Sequence, residues 1–84
     1  MEMSLIQVMV FTQSLIVKVR NPNMELTRTA VGFRNAYKNA RGLNRNANAL
    51  VVLRDLKSVC EENPAFLEYF NRAISSHPDV RVQL

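Results

Sequence analysis

Apolar residues return at intervals of three and four along most of the chain. In the first segment, about residues 4 to 20, Leu5, Val8, Met9, Thr12, Leu15, Ile16 and Val19 fall on one face of a helix. A β-hairpin is the alternative, with strands Ser4 to Phe11 and Ser14 to Val19 around Thr12 and Gln13. That turn lacks the Gly or Asn that tight hairpins prefer, and two isolated strands need a third, so the helix is the preferred reading. Arg20-Asn21-Pro22-Asn23 then interrupts the pattern, with Asn23 as an N-cap candidate.

The middle segment, about 24 to 62, carries the longest stripe: Leu26, Ala30, Phe33, Tyr37, Ala40, Leu43, Ala47, Leu50, Leu53, Leu56 and Cys60. This spacing predicts one very long helix, in which Leu26, Phe33, Tyr37, Leu43, Leu50 and Leu53 form the core and dimer-facing row. Gly32 and Gly42 each weaken it by about 1 kcal/mol, and Gly42 offers a place for a break. Unbroken, about 39 residues rise roughly 58 Å, far beyond the width of a domain this small. A homodimer in which two such helices cover each other resolves the mismatch.

A short third helix is expected from Asn63-Pro64 to about Ile74, with Pro64 in the first turn, where its missing N–H costs nothing. Ser76-His77-Pro78 ends it. The predicted organisation is therefore one all-α domain over 1–75: a helical hairpin with one very long helix plus the short third. Residues 76–84 read as a frayed C-terminal tail.

Composition narrows the function. Eighty-four residues make one small domain, with little interior to spare for an enclosed catalytic pocket, so no enzymatic activity is expected. Cys60 and His77 supply two ligands where structural zinc needs about four, so no metal or cofactor is expected either. Cys60 reads as a packed thiol of a reducing, cytoplasmic setting, and His77 as a solvated tail residue. The run from Leu5 to Val19 is broken by Gln7, Thr12, Gln13, Ser14 and Lys18, which argues against a membrane span.

The distribution of charge is more informative than its total of +4. From Leu26 to Arg54 there are six basic residues, Arg28, Arg34, Lys38, Arg41, Arg45 and Arg54, and no acidic one. The remainder holds five basic and seven acidic residues, a net of −2. On a continuous helix Arg34, Lys38, Arg41 and Arg45, spaced 4, 3 and 4, share one face, which Asn48 extends and Asn35, Asn39, Asn44 and Asn46 surround. Solvated faces usually alternate charge sign, and no acidic residue answers these four. Cationic and amide donors without exposed aromatics suit the phosphates and sugar hydroxyls of a duplex, and double-stranded RNA is read in that way. Arg72 and Arg81 lie outside the basic segment and are expected to contribute little. Two rival readings remain: a small helical protein-interaction module whose basic face meets an acidic partner, and a DNA-binding regulator.

Two stretches carry a family resemblance. Leu5-Ile6-Gln7 near the N-terminus, and Glu62-Asn63-Pro64-Ala65-Phe66-Leu67-Glu68-Tyr69-Phe70 opening the third helix, follow a Leu-Ile-Gln and a Glu-x-Pro-small-apolar-apolar-x-Tyr-apolar pattern at nearly the same separation. Over about residues 4 to 72 the chain resembles the small B-two proteins of nodaviruses. The resemblance implies an all-helical homodimer, an elongated four-helix bundle that lies along double-stranded RNA without sequence preference. It also implies suppression of host RNA silencing in the host cell cytoplasm, by shielding long duplexes from Dicer and sequestering short interfering RNA. Family contacts come from the exposed face of the long helix, where this chain has Arg34, Asn35, Lys38, Arg41, Arg45, Asn48 and Arg54. Lys18 and Arg20 stand in the corresponding part of the first helix.

Overall fold

The computed structural model describes residues 3–21 and 23–84. Five α-helices follow in order: α1 Met3–Arg20, α2 Thr27–Asn39, α3 Ala47–Cys60, α4 Pro64–Ile74 and α5 Pro78–Arg81, with a single 3-10 turn at Leu43–Arg45. No strand occurs among the described residues, so the hairpin alternative for the first segment is excluded. Leu5, Val8, Thr12 and Leu15 of α1 are buried, as the spacing required.

The middle segment is not one helix. Ala40 leaves α2 in an extended conformation, Gly42 adopts a left-handed one at φ 78°, and Asn46 begins α3 by accepting the Ala49 N–H at 3.0 Å. A left-handed residue costs an L side chain about 1–2 kcal/mol, so glycine is the residue that permits this turn. The chain turns a corner here, and α1 packs against both α2 and α3. The helical stripe is correspondingly displaced. Leu43 stays buried, but Ala47 is exposed and Ala49 takes the inward place. The stripe of α2 and α3 is thus covered within one chain, and the body measures 33 Å along its longest axis. The argument from helix length to an obligatory dimer falls away with the straight helix.

Two further expectations change. Helix α2 starts at Thr27, later than an Asn23 cap implies. Asn21 Oδ1 accepts the Asn23 N–H in the preceding turn, and Glu25 Oε1 accepts the Thr27 N–H at 2.6 Å. Hydrogen bonds from the Thr27 hydroxyl and main chain hold the Glu25 carboxyl below its usual range. The tail is not frayed either. Residues 78–81 form α5, Val80 is buried, Arg54 Nε donates to the Gln83 main-chain oxygen at 3.0 Å, and Lys57 Nζ to that of Leu84 at 3.0 Å.

Helix α4 begins as expected, with Pro64 in its first turn and Asn63 Oδ1 accepting the Phe66 N–H at 3.3 Å. It packs on α2 and α3 through Phe66, Phe70, Ala73 and Ile74, and the Phe70 ring stacks on Phe33 at 6.2 Å. Two phenols fasten it to α2: Tyr69 donates to the Ala30 carbonyl at 2.7 Å and Tyr37 to the Ile74 carbonyl at 2.9 Å. His77 belongs to the same seam and is half-buried. Its Nε2 lies 2.8 Å from the Tyr37 carbonyl, and its ring meets the Tyr37 ring edge-on at 5.0 Å. The solvated reading of His77 is therefore wrong.

Phe33, Tyr37, Leu43, Leu50 and Leu53 are all buried in this core, and Leu26 is half-buried against it. Cys60 is fully buried, and burial pushes its thiol up to about 12.

Candidate nucleic-acid interface

The basic segment occupies the second half of α2, the Gly42 turn and the start of α3. Arg34, Asn35 and Lys38 are exposed on α2, Arg41 and Arg45 on the turn, and Asn48 in the first turn of α3. The turn ends the single straight face expected from the 4, 3, 4 spacing. Arg34 and Lys38 remain one helical step apart, whereas Arg41 and Arg45 follow the chain round the corner. The Arg45 guanidinium folds towards Gly42, within 4.0 Å of the place a β-carbon there would take.

Packing of α4 adds a residue that sequence spacing did not assign. Arg34, Asn35 and Lys38 share the lining of a recess of about 250 Å³ with Arg72, Ala73 and Ser76. Three cations, an amide and a hydroxyl thus line one concavity, with the cations supplied by two helices; the Ser76 hydroxyl itself donates to the Ala73 carbonyl at 3.2 Å. Glu68 is the acidic residue nearest this group by contact, paired with Arg72 at 2.7 Å between two exposed side chains. An exposed pair of this kind contributes under about 1 kcal/mol, so the Arg72 guanidinium retains donors for a stronger anion. The charge of Arg34 also reaches Tyr69, where it opposes the upward push that burial gives the phenol.

The remaining candidates have other places. Arg54 is exposed on α3 but spends its Nε on the Gln83 main chain, so it anchors the C-terminal segment. Lys18 is half-buried and donates from Nζ to Thr29 Oγ1 at 2.7 Å, joining α1 to α2. Arg20 is exposed at the end of α1. No contact brings Lys18 or Arg20 to the recess. Asn39 Nδ2 turns back to the Asn35 carbonyl at 2.9 Å, and Asn44 accepts from the Gln83 side chain at 3.2 Å through its own carbonyl. Among the described residues no cluster of three or more His, Cys, Asp or Glu stands together that could hold a metal ion.

Helix α1 reaches a mean hydropathy of 1.2 over its 18 residues, long and apolar enough by composition to cross a membrane, although Gln and Ser interrupt it. In this fold it is a wall of the core.

No family model, curated protein or solved structure matches the chain.

Proposed function

We propose that this protein binds nucleic acid without sequence preference through the recess of Arg34, Lys38 and Arg72 together with Arg41 and Arg45 on the adjoining turn, with double-stranded RNA as its target. The observation that carries this reading is the recess between α2 and α4, where Arg34 and Lys38, from the acid-free stretch Leu26 to Arg54, converge with Arg72 of α4. Cations on a rigid scaffold attract a polyanion at long range and neutralise individual phosphates at short range. Phe33 and Tyr37, the aromatics of this part of α2, are buried, so α2 itself offers no platform on which single-stranded bases could stack. Phosphate and sugar contacts position a duplex without reading its bases. The resemblance to nodavirus B-two proteins supports RNA as the duplex, and it extends the proposal to suppression of RNA silencing, in which a covered duplex is withheld from Dicer.

The test is a competition binding assay with double-stranded RNA, double-stranded DNA and single-stranded RNA of equal length, over a range of salt concentrations. Duplex RNA is expected to win regardless of sequence. In a variant carrying Gln at positions 34, 38, 41 and 45, the slope of log affinity against log salt falls by roughly three, at about 0.7–0.9 per lost phosphate contact. Unchanged affinity and slope in a folded quadruple variant would make these residues an ordinary solvated surface.

A further inference from the structure

Helices α2 and α4 run side by side in the same direction, since Ala30 is tied to Tyr69 and Tyr37 to Ile74. The crevice between them has two compartments. Beyond the Arg34–Lys38–Arg72 recess, towards the N-terminal ends of both helices, lies a hollow of about 330 Å³ lined by Leu26, Ala30, Val31, Ala65, Phe66 and Tyr69. Arg34 follows Ala30 by four residues, so the cationic and apolar linings begin about 6 Å apart along α2. Tyr69 stands at the boundary. Its ring lines the apolar hollow, its hydroxyl donates to the Ala30 carbonyl at 2.7 Å, and its phenol feels the charge of Arg34. It is half-exposed, whereas Phe66, with its ring centroid 5.5 Å away, is buried.

We infer that this crevice is the site of one unpaired nucleotide at the end of a duplex RNA, with its base against Tyr69 in the apolar hollow and its phosphate between Arg34, Lys38 and Arg72. The inference rests on the nucleic-acid reading and names the part of the ligand that the crevice takes. Charge complementarity fixes one end of the ligand as an anion, and the apolar hollow beside it takes an uncharged body with a flat face for the tyrosine ring. A nucleotide joins the two across a single sugar.

The supply of aromatic rings limits the ligand to one base. A protein that follows a single strand stacks successive bases on successive exposed rings, and this crevice presents one. A paired base is held in its stack, while an unpaired base at a duplex end can splay out to meet an aromatic side chain. Base identity goes unread. The two polar residues that complete the hollow are engaged within the fold: Asn63 Oδ1 accepts the Phe66 N–H at 3.3 Å, and the Thr27 hydroxyl bonds to the Glu25 carboxylate. The ring of Tyr69, fixed by its hydrogen bond to Ala30, offers every base the same π-face.

The test is a fluorescence-anisotropy titration with duplex RNAs of equal paired length, either blunt or carrying one unpaired nucleotide at each 3′ end or at each 5′ end. The wild-type chain is expected to bind an overhanging form about threefold or more tighter than the blunt one, whichever base is unpaired. Tyr69→Phe keeps the ring and retains this ratio, whereas Tyr69→Leu removes the flat face and brings the ratio to about one. Photo-cross-linking of the wild type covers the case in which Tyr69→Leu, having lost the hydrogen bond to Ala30, fails to fold. With 5-iodouracil as the unpaired base, the cross-linked peptide is expected to carry its adduct on Tyr69. Equal affinity for blunt and overhanging duplexes, a ratio that survives in folded Tyr69→Leu, or an adduct away from the crevice would overturn the inference and leave the proposed function standing. If no form of the duplex binds, both fail together.

Discussion

Gly32 on α2 lies so close to the ring of Phe11 on α1 that a β-carbon at position 32 would stand 2.8 Å from the Phe11 Cζ. The two helices approach at this point because one side chain is missing. Alanine at 32 gains about 1 kcal/mol in helix propensity but meets an overpacking cost of about 1–3 kcal/mol. We expect Gly32→Ala to lower stability in urea unfolding of the wild-type background. With Phe11→Leu already in place, the same change should raise stability by about 0.5–1 kcal/mol. Reversal of sign across this double-mutant cycle is the expected signature.

Gly42 is conformationally special in a different way, through its φ of 78°. Gly42→Ala is expected to destabilise the fold by about 1–2 kcal/mol, and Gly42→Asn by less, since Asn tolerates the left-handed region better. Equal losses for the two would show that the turn adapts.

Arg72 and Arg81 were expected to behave alike from their place in the sequence, but only Arg72 lines the recess with Arg34 and Lys38. On the proposed function, Arg72→Gln weakens duplex RNA binding several-fold and lowers the salt slope by about 0.7–0.9, while Arg81→Gln changes neither. Filter binding at two or more salt concentrations distinguishes them.

The Cys60 thiol, raised to about 12 by burial, should resist thiol reagents at pH 8 in the folded protein and react at once in denaturant. Its unfolded counterpart ionises near 9.0, so between pH 9 and about 12 the unfolded state binds fewer protons and stability falls as pH rises. Below pH 9 this group contributes no slope. A Cys60→Ala variant should therefore show a shallower alkaline decline in urea unfolding than the wild type.

Val80 is 2% exposed and Val82 78% exposed, although they are two residues apart in what sequence alone marks as a tail. Val80→Ala is expected to cost about 1.5–3 kcal/mol and Val82→Ala under about 0.5 kcal/mol. Thermal unfolding of the pair measures how firmly the C-terminal segment is attached.

The all-helical class, the inner face of α1 and the Pro64 start of α4 were legible because each rests on local spacing or on one residue's backbone chemistry. The straight middle helix was misleading for a physical reason. Leu43 stays inward through the 3-10 turn, so the three-and-four rhythm runs across a corner that has no helix in it. Gly42 and Asn46 are the local signals of that corner, a left-handed hinge followed by a cap. Helix α5 is only four residues long, and burial of Val80, with the hydrogen bonds from Arg54 and Lys57 just beyond it, holds its end of the chain in place. Such tertiary contacts have no local pattern. For the same reason Arg72 could not be joined to Arg34: their proximity depends on α4 folding back along α2.

The seam around Tyr37 has a consequence for how the chain acquires its structure during synthesis. The buried phenol of Tyr37 donates to Ile74, and His77 closes over the Tyr37 carbonyl and ring. A growing chain that has emerged only as far as α3 can pair α1, α2 and α3, but it leaves this hydroxyl and the Phe33 side chain without the cover that α4 gives them. At about 5–20 residues per second, the residues from Pro64 to Val80 follow about one to three seconds later. During that interval the half-made body exposes its largest aromatics to solvent and to neighbouring chains. Completion of the fold is therefore timed by the last elements to be translated, although most of the core belongs to the first three.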